Sequence, residues 1–227
     1  MVRSILHGEI MKRRVAILIS GRGSNMAALI EAASANDFPA EIVVVISNRG
    51  DAGGLEKAKA SGIPALVIES KPFGGDRAAF EAALEPALEQ FKVDLICLGG
   101  FMRLFTAEFV RRWHGRMLNI HPSLLPAFPG LDPHGQALRA GVKISGATVH
   151  FVIPETDAGP ILMQGAVAVC DDDTPDALAA RILEIEHRIY PEALRLVASG
   201  KIRLEGDSCK TMGDIACDRV LISPALR

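Results

Sequence analysis

The sequence predicts an α/β fold, a doubly wound and mostly parallel sheet with helices on both faces and an antiparallel part in its C-terminal half. Three observations predict it. Short, continuous apolar runs of strand length recur through the first half of the chain, helix-length segments separate them, and the second half carries two strand-like runs joined by one turn-rich stretch. A strand buried on both faces reads as an unbroken apolar run, and each parallel return needs a crossover, so a β-α-β-α order specifies helices packed over a parallel sheet.

The elements follow in order. Val15-Ala16-Ile17-Leu18-Ile19, ending in Ser20-Gly21, reads as the first buried strand. Met26 to Ala35 reads as helix, Ile42 to Ile46 as the second strand, Gly53 to Ser61 as helix and Ala65 to Ile68 as the third strand. A longer helix over Asp76 to Phe91, despite Pro86, leads to a fourth strand at Leu95 to Gly99, and the whole pattern is Rossmann-like. Thr106 to Trp113 then reads as helix and Met117 to His121 as strand.

The stretch through Pro122, Pro126, Pro129, Gly130 and Pro133 is expected to be loop, because its prolines sustain neither a ladder nor a helix, and long loops of this kind are often functional. Ala147 to Ile153 and Ile161 to Val169 are expected as strands on either side of the Pro154 to Pro160 turn, placed to pair antiparallel. Thr174-Pro175 supplies a helix N-cap and a first-turn proline, and Leu178, Ile182, Ile185 and Ile189 mark the stripe that packs on the core. Residues 1–12 read as an extension, 13–205 as one domain with halves at 13–100 and 101–205, and 206–227 as a tail without a readable pattern. Met11 precedes Lys12-Arg13-Arg14 and is an alternative start.

With 227 residues, 49% of them apolar and 23% charged, the chain can bury a substantial core. A formal charge of -2 and a pI near 6.3 give no sequence-independent attraction to nucleic acid, so small-molecule partners are favoured. No apolar stretch approaches the roughly 20 residues of a membrane span. The four cysteines, Cys97, Cys170, Cys209 and Cys217, form no C-x-x-C pair and have no close histidine spacing, which argues against a structural zinc site or a redox dithiol and fits reduced thiols in a cytoplasm. Oligomeric state is not written in the pattern, and a homodimer remains open.

Ser20-Gly21-Arg22-Gly23-Ser24-Asn25 joins the first strand to the first helix, where backbone N–H groups and a helix N-terminus converge on an anion. A dinucleotide fingerprint needs a third glycine where this chain has Met26, and an acid after the second strand, where it has Ser47-Asn48-Arg49. The lysine of a nucleoside-triphosphate loop is missing as well. A monophosphate or similar small anion remains, against the plain alternative of a tight turn with a Ser/Asn helix cap; the loop alone does not separate them.

Asn119 and His121 stand two apart at a strand end, so both point to one face. His121 has the titration range of a general acid or base, and Asn119 the donor for a developing oxyanion. A loop-capping histidine and an Asx-turn asparagine account for the same spacing slightly better. Asp157, in a Pro/Gly-bounded loop after the strand carrying His150, can fold back to the same sheet end and support a charged His121, or it can simply make an Asp-Ala-Gly turn. His7, His114, His134 and His150 read as structural or solvated. Glu186 and His187 lie off the apolar stripe of the late helix, facing either a site or water. Ser123 lacks the G-x-S-x-G setting of a hydrolase nucleophile.

Together, Ile19 to Asn25, Leu98-Gly99-Gly100-Phe101-Met102-Arg103, Asn119-Ile120-His121-Pro122-Ser123-Leu124-Leu125-Pro126, Glu155 to Pro160 and Glu186 to Pro191 closely resemble the phosphoribosylglycinamide formyltransferases, within the folate-dependent formyltransferase family. The match runs from about Val15 to about Leu204. The resemblance implies the formyltransferase fold, with a phosphate-binding half at 13–100 and a folate-binding and catalytic half at 101–205. It also implies transfer of a formyl group from 10-formyltetrahydrofolate, a co-substrate, to glycinamide ribonucleotide, with no metal.

By that resemblance Gly23, Ser24 and Asn25 hold the ribonucleotide phosphate and Glu186 its sugar. Arg77, Phe101, Met102, Arg103, Leu104 and Phe105, with Ile153, Pro154, Glu155 and Thr156, bind the folate, and Asn119, His121 and Asp157 are catalytic. Asp132 and Gly135 depart from the family pattern, in which basic side chains often stand there. The rival readings are a formyltetrahydrofolate hydrolase, with water as acceptor, and a non-catalytic nucleotide-binding module.

Overall fold

A computed structural model describes residues 12–206 and 208–212. The alternative start at Met11, with His7, and the end of the expected tail, with Cys217, lie outside the described residues.

In chain order the elements are β1 (Arg13–Ile19), α1 (Ser24–Ala33), β2 (Ala40–Ser47), α2 (Gly54–Ala60), β3 (Ala65–Val67), α3 (Arg77–Gln90), β4 (Leu95–Leu98), α4 (Ala107–Arg112), β5 (Met117–His121), α5 (Pro133–Ala140), β6 (Ile144–Phe151), β7 (Ile161–Ala168), α6 (Pro175–Ala198), β8 (Ile202–Glu205) and β9 (Ser208–Thr211). The sheet is seven-stranded, in the order β3-β2-β1-β4-β5-β6-β7. Strands β1 to β5 pair in parallel, whereas β6 runs antiparallel to β5 and β7 antiparallel to β6. The parallel sheet with an antiparallel C-terminal part is thus observed as the apolar runs predict.

Period-2 alternation divides the core between the two faces of the sheet. Val15, Ile17 and Ile19 of β1 pack with Met26 and Leu29 of α1 and with Leu178, Ile182, Tyr190 and Leu194 of α6. Ala16 and Leu18 point the other way, toward Leu84 and Leu88 of α3 and Phe109 of α4. All five of these β1 residues are fully buried, which is why the run reads as unbroken apolar sequence. Among the described residues no helix is long and apolar enough to cross a membrane.

The structure departs from the sequence expectation in several places, each with a local cause. Helix α1 begins at Ser24 rather than Met26, because Gly23 takes a left-handed φ of 66° and turns the chain straight into the helix. Pro133, read as loop, opens α5, where a first-turn proline sacrifices no hydrogen bond, and Asp132 caps it by accepting from the Gly135 N–H at 3.2 Å. Helix α6 runs past the expected stripe and through Pro191 to Ala198. Strand β6 starts at Ile144, ahead of the expected Ala147, because its ladder with β7 begins at the Ile144–Ala168 pair. Strands β8 and β9 pair antiparallel in a two-stranded sheet of their own, so positions 208–211 of the expected tail are strand.

The functional consequence is topological. From β1 the chain proceeds outward through β2 and β3, then returns to β4 on the other side of β1. A crevice opens where the strand order reverses, between the carboxyl ends of β1 and β4, and such switch points are where open α/β sheets hold ligands. The loop after β1, the loop after β4 and the end of β5 all meet there.

Candidate functional site

The loop after β1 is shaped by a residue outside it. Gly54, the first residue of α2, donates its N–H to the Gly21 carbonyl at 3.0 Å. A Cβ on Gly23 would stand 2.9 Å from the Gly54 Cα, and a Cβ on Gly54 would crowd the Ile19 side chain and lie 3.2 Å from the Gly21 oxygen. The loop and α2 therefore touch backbone to backbone, leaving the first-turn N–H groups of Ser24 and Asn25 at the mouth of the crevice. The glycine fingerprint gives no signal for Gly54.

Asn25 and Glu186 meet across the site. The Asn25 Nδ2 donates to Glu186 Oε2 at 2.6 Å, while Asn25 Oδ1 is buried with no partner. Burial pushes the Glu186 carboxyl above its ordinary range, with the Asn25 hydrogen bond opposing the rise. Of the two off-stripe residues of α6, Glu186 thus faces Asn25, whereas His187 lines a separate cavity of about 440 Å³ with Ser24, Glu31 and Pro191.

The loop after β4 is divided between core and solvent. Phe101 and Phe105 stack at 5.4 Å and extend a ladder of rings from Phe80 to Phe109, so their side chains serve packing. Met102 and Leu104 project outward, 75% and 53% exposed. With Arg77, Arg103, Gly74 and Gly75 they line a cavity of about 270 Å³, and Arg103 also donates to the Gly74 carbonyl at 3.2 Å. Two arginines beside exposed apolar side chains suit a ligand with an apolar body and an anionic end. Ile153, Pro154, Glu155 and Thr156 do not line this cavity; they form the approach to Asp157 beyond β6. Buried Glu81 secures the far end of the β4 loop, accepting from both the Thr106 N–H and the Thr106 hydroxyl.

At the end of β5 the polar groups converge. The β5–β6 register sets Asn119 opposite His150, and the Asn119 Nδ2 lies 3.2 Å from His150 Nε2. His150 Nδ1 lies 2.9 Å from the Phe151 carbonyl oxygen. A carbonyl only accepts, so Nδ1 carries the hydrogen, and Nε2 of the neutral ring accepts from Asn119. Burial lowers the His150 pKa, which keeps the ring neutral. His121 is held in a matching way: its Nε2 donates to the Phe128 carbonyl at 3.0 Å, and its Nδ1 stands 3.4 Å from Asp157 Oδ2. Asp157 also accepts from the Gly130 N–H at 2.9 Å, and its second oxygen lies 3.9 Å from His150 Nε2.

Asp157 thus lies between the two histidines, with side chains 11%, 8% and 3% exposed for Asp157, His121 and His150. The structure brings together Asn119, His121 and Asp157 and adds His150, which the sequence reads as structural or solvated. The signal that finds it is the antiparallel pairing of the two strands, which sets His150 across from Asn119.

The proline-rich segment serves as the mould for this cluster. Thr148 Oγ1 donates to the Ser123 carbonyl at 2.7 Å and accepts from the Leu125 N–H at 3.0 Å, while the Ser123 hydroxyl donates to the Ala127 carbonyl at 2.6 Å. Ser123 is fully buried in that role, consistent with its lack of a nucleophile setting. Asp132 and Gly135 form one unit with Arg139. The Asp132 carboxylate pairs with Arg139 at 3.0 Å, and a Cβ on Gly135 would collide with both. Among the described residues no group of three or more His, Cys, Asp or Glu is arranged to hold a metal ion.

Residues 13–194 match the family described as formyl transferase. Over 193 residues, 85% of this chain, the sequence is 52% identical to the trifunctional purine biosynthetic protein adenosine-3 of Bos taurus; the match spans 19% of that longer protein, about a fifth of its length. It is 40% identical over 190 residues to the phosphoribosylglycinamide formyltransferase of Escherichia coli, covering 84% of this chain and 89% of that one. The crystal structure of glycinamide ribonucleotide transformylase 1 from Symbiobacterium toebii superposes with a TM-score of 0.86 at 45% identity, covering 93% of this chain and 99% of that one.

Proposed function

The chain belongs to the formyl transferase family, and from that premise we propose that it transfers the formyl group of 10-formyltetrahydrofolate to the amino group of glycinamide ribonucleotide, a step of purine biosynthesis. The observation that carries this reading is the convergence of His121 and His150 on Asp157, with Asn119 against His150, at the end of β5 and beside the glycine-containing loop that opens α1.

In this reading the backbone of Gly23, Ser24 and Asn25 binds the substrate phosphate. The Glu186 carboxylate and the unpartnered Asn25 Oδ1 accept from sugar hydroxyls. Met102 and Leu104 cover the apolar body of the folate, Arg77 and Arg103 face its anionic tail, Phe101 and Phe105 shape the loop from the core, and Ile153 to Thr156 wall the approach to Asp157. The substrate amine then adds to the formyl carbon, forming the new C–N bond. Asn119, with one N–H committed to His150, offers its second to the oxygen that gains negative charge, and His121, whose ring nitrogens face the Phe128 carbonyl and Asp157, stabilises the same oxygen through the charge of its protonated ring. Asp157 supports His121 and relays the proton lost by the amine toward the folate nitrogen, whose bond to the formyl carbon breaks. No covalent enzyme intermediate forms and no metal takes part. Cys97, Cys170 and Cys209 are unpaired, which fits a cytoplasmic setting.

The test is purified protein with a 10-formyl folate donor, with and without glycinamide ribonucleotide, following donor loss. Loss that requires the amine is the expected result. Loss without it identifies a hydrolase, and ribonucleotide binding without any donor loss identifies a non-catalytic module.

A further inference from the structure

Asn48 occupies the place where a dinucleotide reader carries its acid, and here it does something else. Its Oδ1 accepts from the Ser20 hydroxyl at 2.6 Å, and its Nδ2 donates to Ser70 Oγ at 3.0 Å. Ser20 Oγ in turn accepts the Met102 N–H at 2.8 Å, and the Ser70 N–H donates to the Asn48 carbonyl at 3.1 Å. Ser20, Asn48 and Ser70 are all buried. The chain of bonds crosses the switch-point crevice. It begins at the end of β1, where the phosphate loop starts, passes through the residue after β2, and reaches both walls of the Arg77 cavity, at Met102 on one side and at Ser70, just ahead of Gly74 and Gly75, on the other.

From this geometry we infer that Ser20, oriented by Asn48, is a positioning residue for the folate donor: its hydroxyl sets the Met102 backbone and with it the wall formed by Met102, Arg103 and Leu104. The inference rests on the proposed function for the identity of the ligand. The direction of each bond is fixed by chemistry. The Met102 N–H only donates, so Ser20 accepts there and must donate its single hydrogen to Asn48 Oδ1, which turns the Asn48 Nδ2 toward Ser70. Removing the hydroxyl takes away the part-buried acceptor of the Met102 N–H, in the very loop that faces the donor, and leaves the buried Asn48 Oδ1 without its hydrogen. Glu81 still holds the loop at Thr106, so the loop stays in place but its Met102 end loosens.

The experiment compares wild type with Ser20→Ala, Asn48→Ala and the double variant. The readouts are KM for the 10-formyl donor, KM for the ribonucleotide, kcat, thermal midpoint, and equilibrium binding of 10-formylfolate by calorimetry, which needs no turnover. Each single variant is expected to raise the donor KM and the 10-formylfolate Kd by about three- to tenfold. Ribonucleotide KM should stay within about twofold, and the double variant should do no more than the larger single one, because the residues act as one unit. Donor affinity unchanged in a folded variant, both KM values rising in step, or additive singles would overturn the inference. Should Ser20→Ala not fold, Asn48→Ala alone decides on the same readouts. Wild-type protein that binds 10-formylfolate without transferring its formyl group would sink the proposed function while leaving this inference testable by binding.

Discussion

Asn119 and His150 face each other across the β5–β6 ladder, with the amide nitrogen 3.2 Å from the ring Nε2 and the ring's other nitrogen committed to the Phe151 carbonyl. The arrangement works only with a neutral ring, and burial supplies one by lowering the His150 pKa. The folded ring binds a proton less readily than the unfolded ring, whose value is about 6.5. Stability from this residue is therefore full above that pH and is lost as pH falls below it, at up to about 1.4 kcal/mol per pH unit. His150→Gln cannot titrate, so its unfolding free energy should fall less than that of wild type between pH 7.5 and pH 5, measured by urea titration at each pH. Equal losses in the two proteins would remove the linkage.

Asp157 takes a left-handed φ of 53°, which asparagine also tolerates. Asp157→Asn therefore keeps the backbone and an acceptor for the Gly130 N–H while removing the charge beside His121. A drop in kcat of about 10²-fold or more is expected, with a thermal midpoint within a few degrees of wild type. Steady-state kinetics at saturating substrates would check it, and a wild-type kcat would discard Asp157 as a participant.

His121→Ala and Asn119→Ala remove the two groups assigned to the developing oxyanion. Each should lower kcat by about 10²- to 10³-fold, with far smaller changes in either KM. Single-turnover measurements separate this from slow product release. A variant that loses KM alone would reassign its residue to binding.

How far the sequence carried these assignments depends on the kind of information each needs. The runs at Val15 to Ile19 and Leu95 to Leu98 are buried on both faces, so hydrophobic pattern alone located the strands and hence the crevice. Asn119 and His121 were visible as a pair because strand geometry makes residues two apart share a face. Asp157, Glu186 and His150 reach the site through long-range contacts; the Asn25–Glu186 bond spans 161 positions, and no local spacing encodes such a separation. Pro133 misled because prolines argue against helix interiors but not against a first turn, and α5 begins on it. The β8–β9 hairpin is short and largely exposed, so it lacks the buried alternation that announces a strand.

Glu186 offers a pH test of the ribonucleotide site. Its folded pKa is raised by burial above the ordinary 4.5. The stability it contributes is therefore complete below that ordinary value and is lost as pH rises through the folded pKa, so the ionised carboxylate costs stability at neutral pH. Glu186→Gln retains an acceptor for the Asn25 amide and carries no charge. Relative to wild type it should be more stable at pH 8 than at pH 4, and its ribonucleotide KM should rise by about tenfold with the loss of a charged acceptor. Unfolding curves at the two pH values and the KM measurement check the two halves independently.

Gly54 tests whether the phosphate loop depends on the helix behind it. Alanine is the better helix residue by about 0.5–1 kcal/mol, so at the start of an ordinary helix Gly54→Ala would stabilise. Here the new Cβ meets Ile19 and stands 3.2 Å from both the Gly21 oxygen and the Gly23 Cα. The isoleucine can rotate away, but the backbone contacts can be relieved only by moving the loop. Overpacking of this kind costs about 1–3 kcal/mol, which outweighs the gain in helix propensity. Gly54→Ala should therefore lower the thermal midpoint and raise the ribonucleotide KM by about tenfold, with the donor KM within about twofold of wild type. A stabilised variant with unchanged ribonucleotide KM would show that the loop holds its shape without α2.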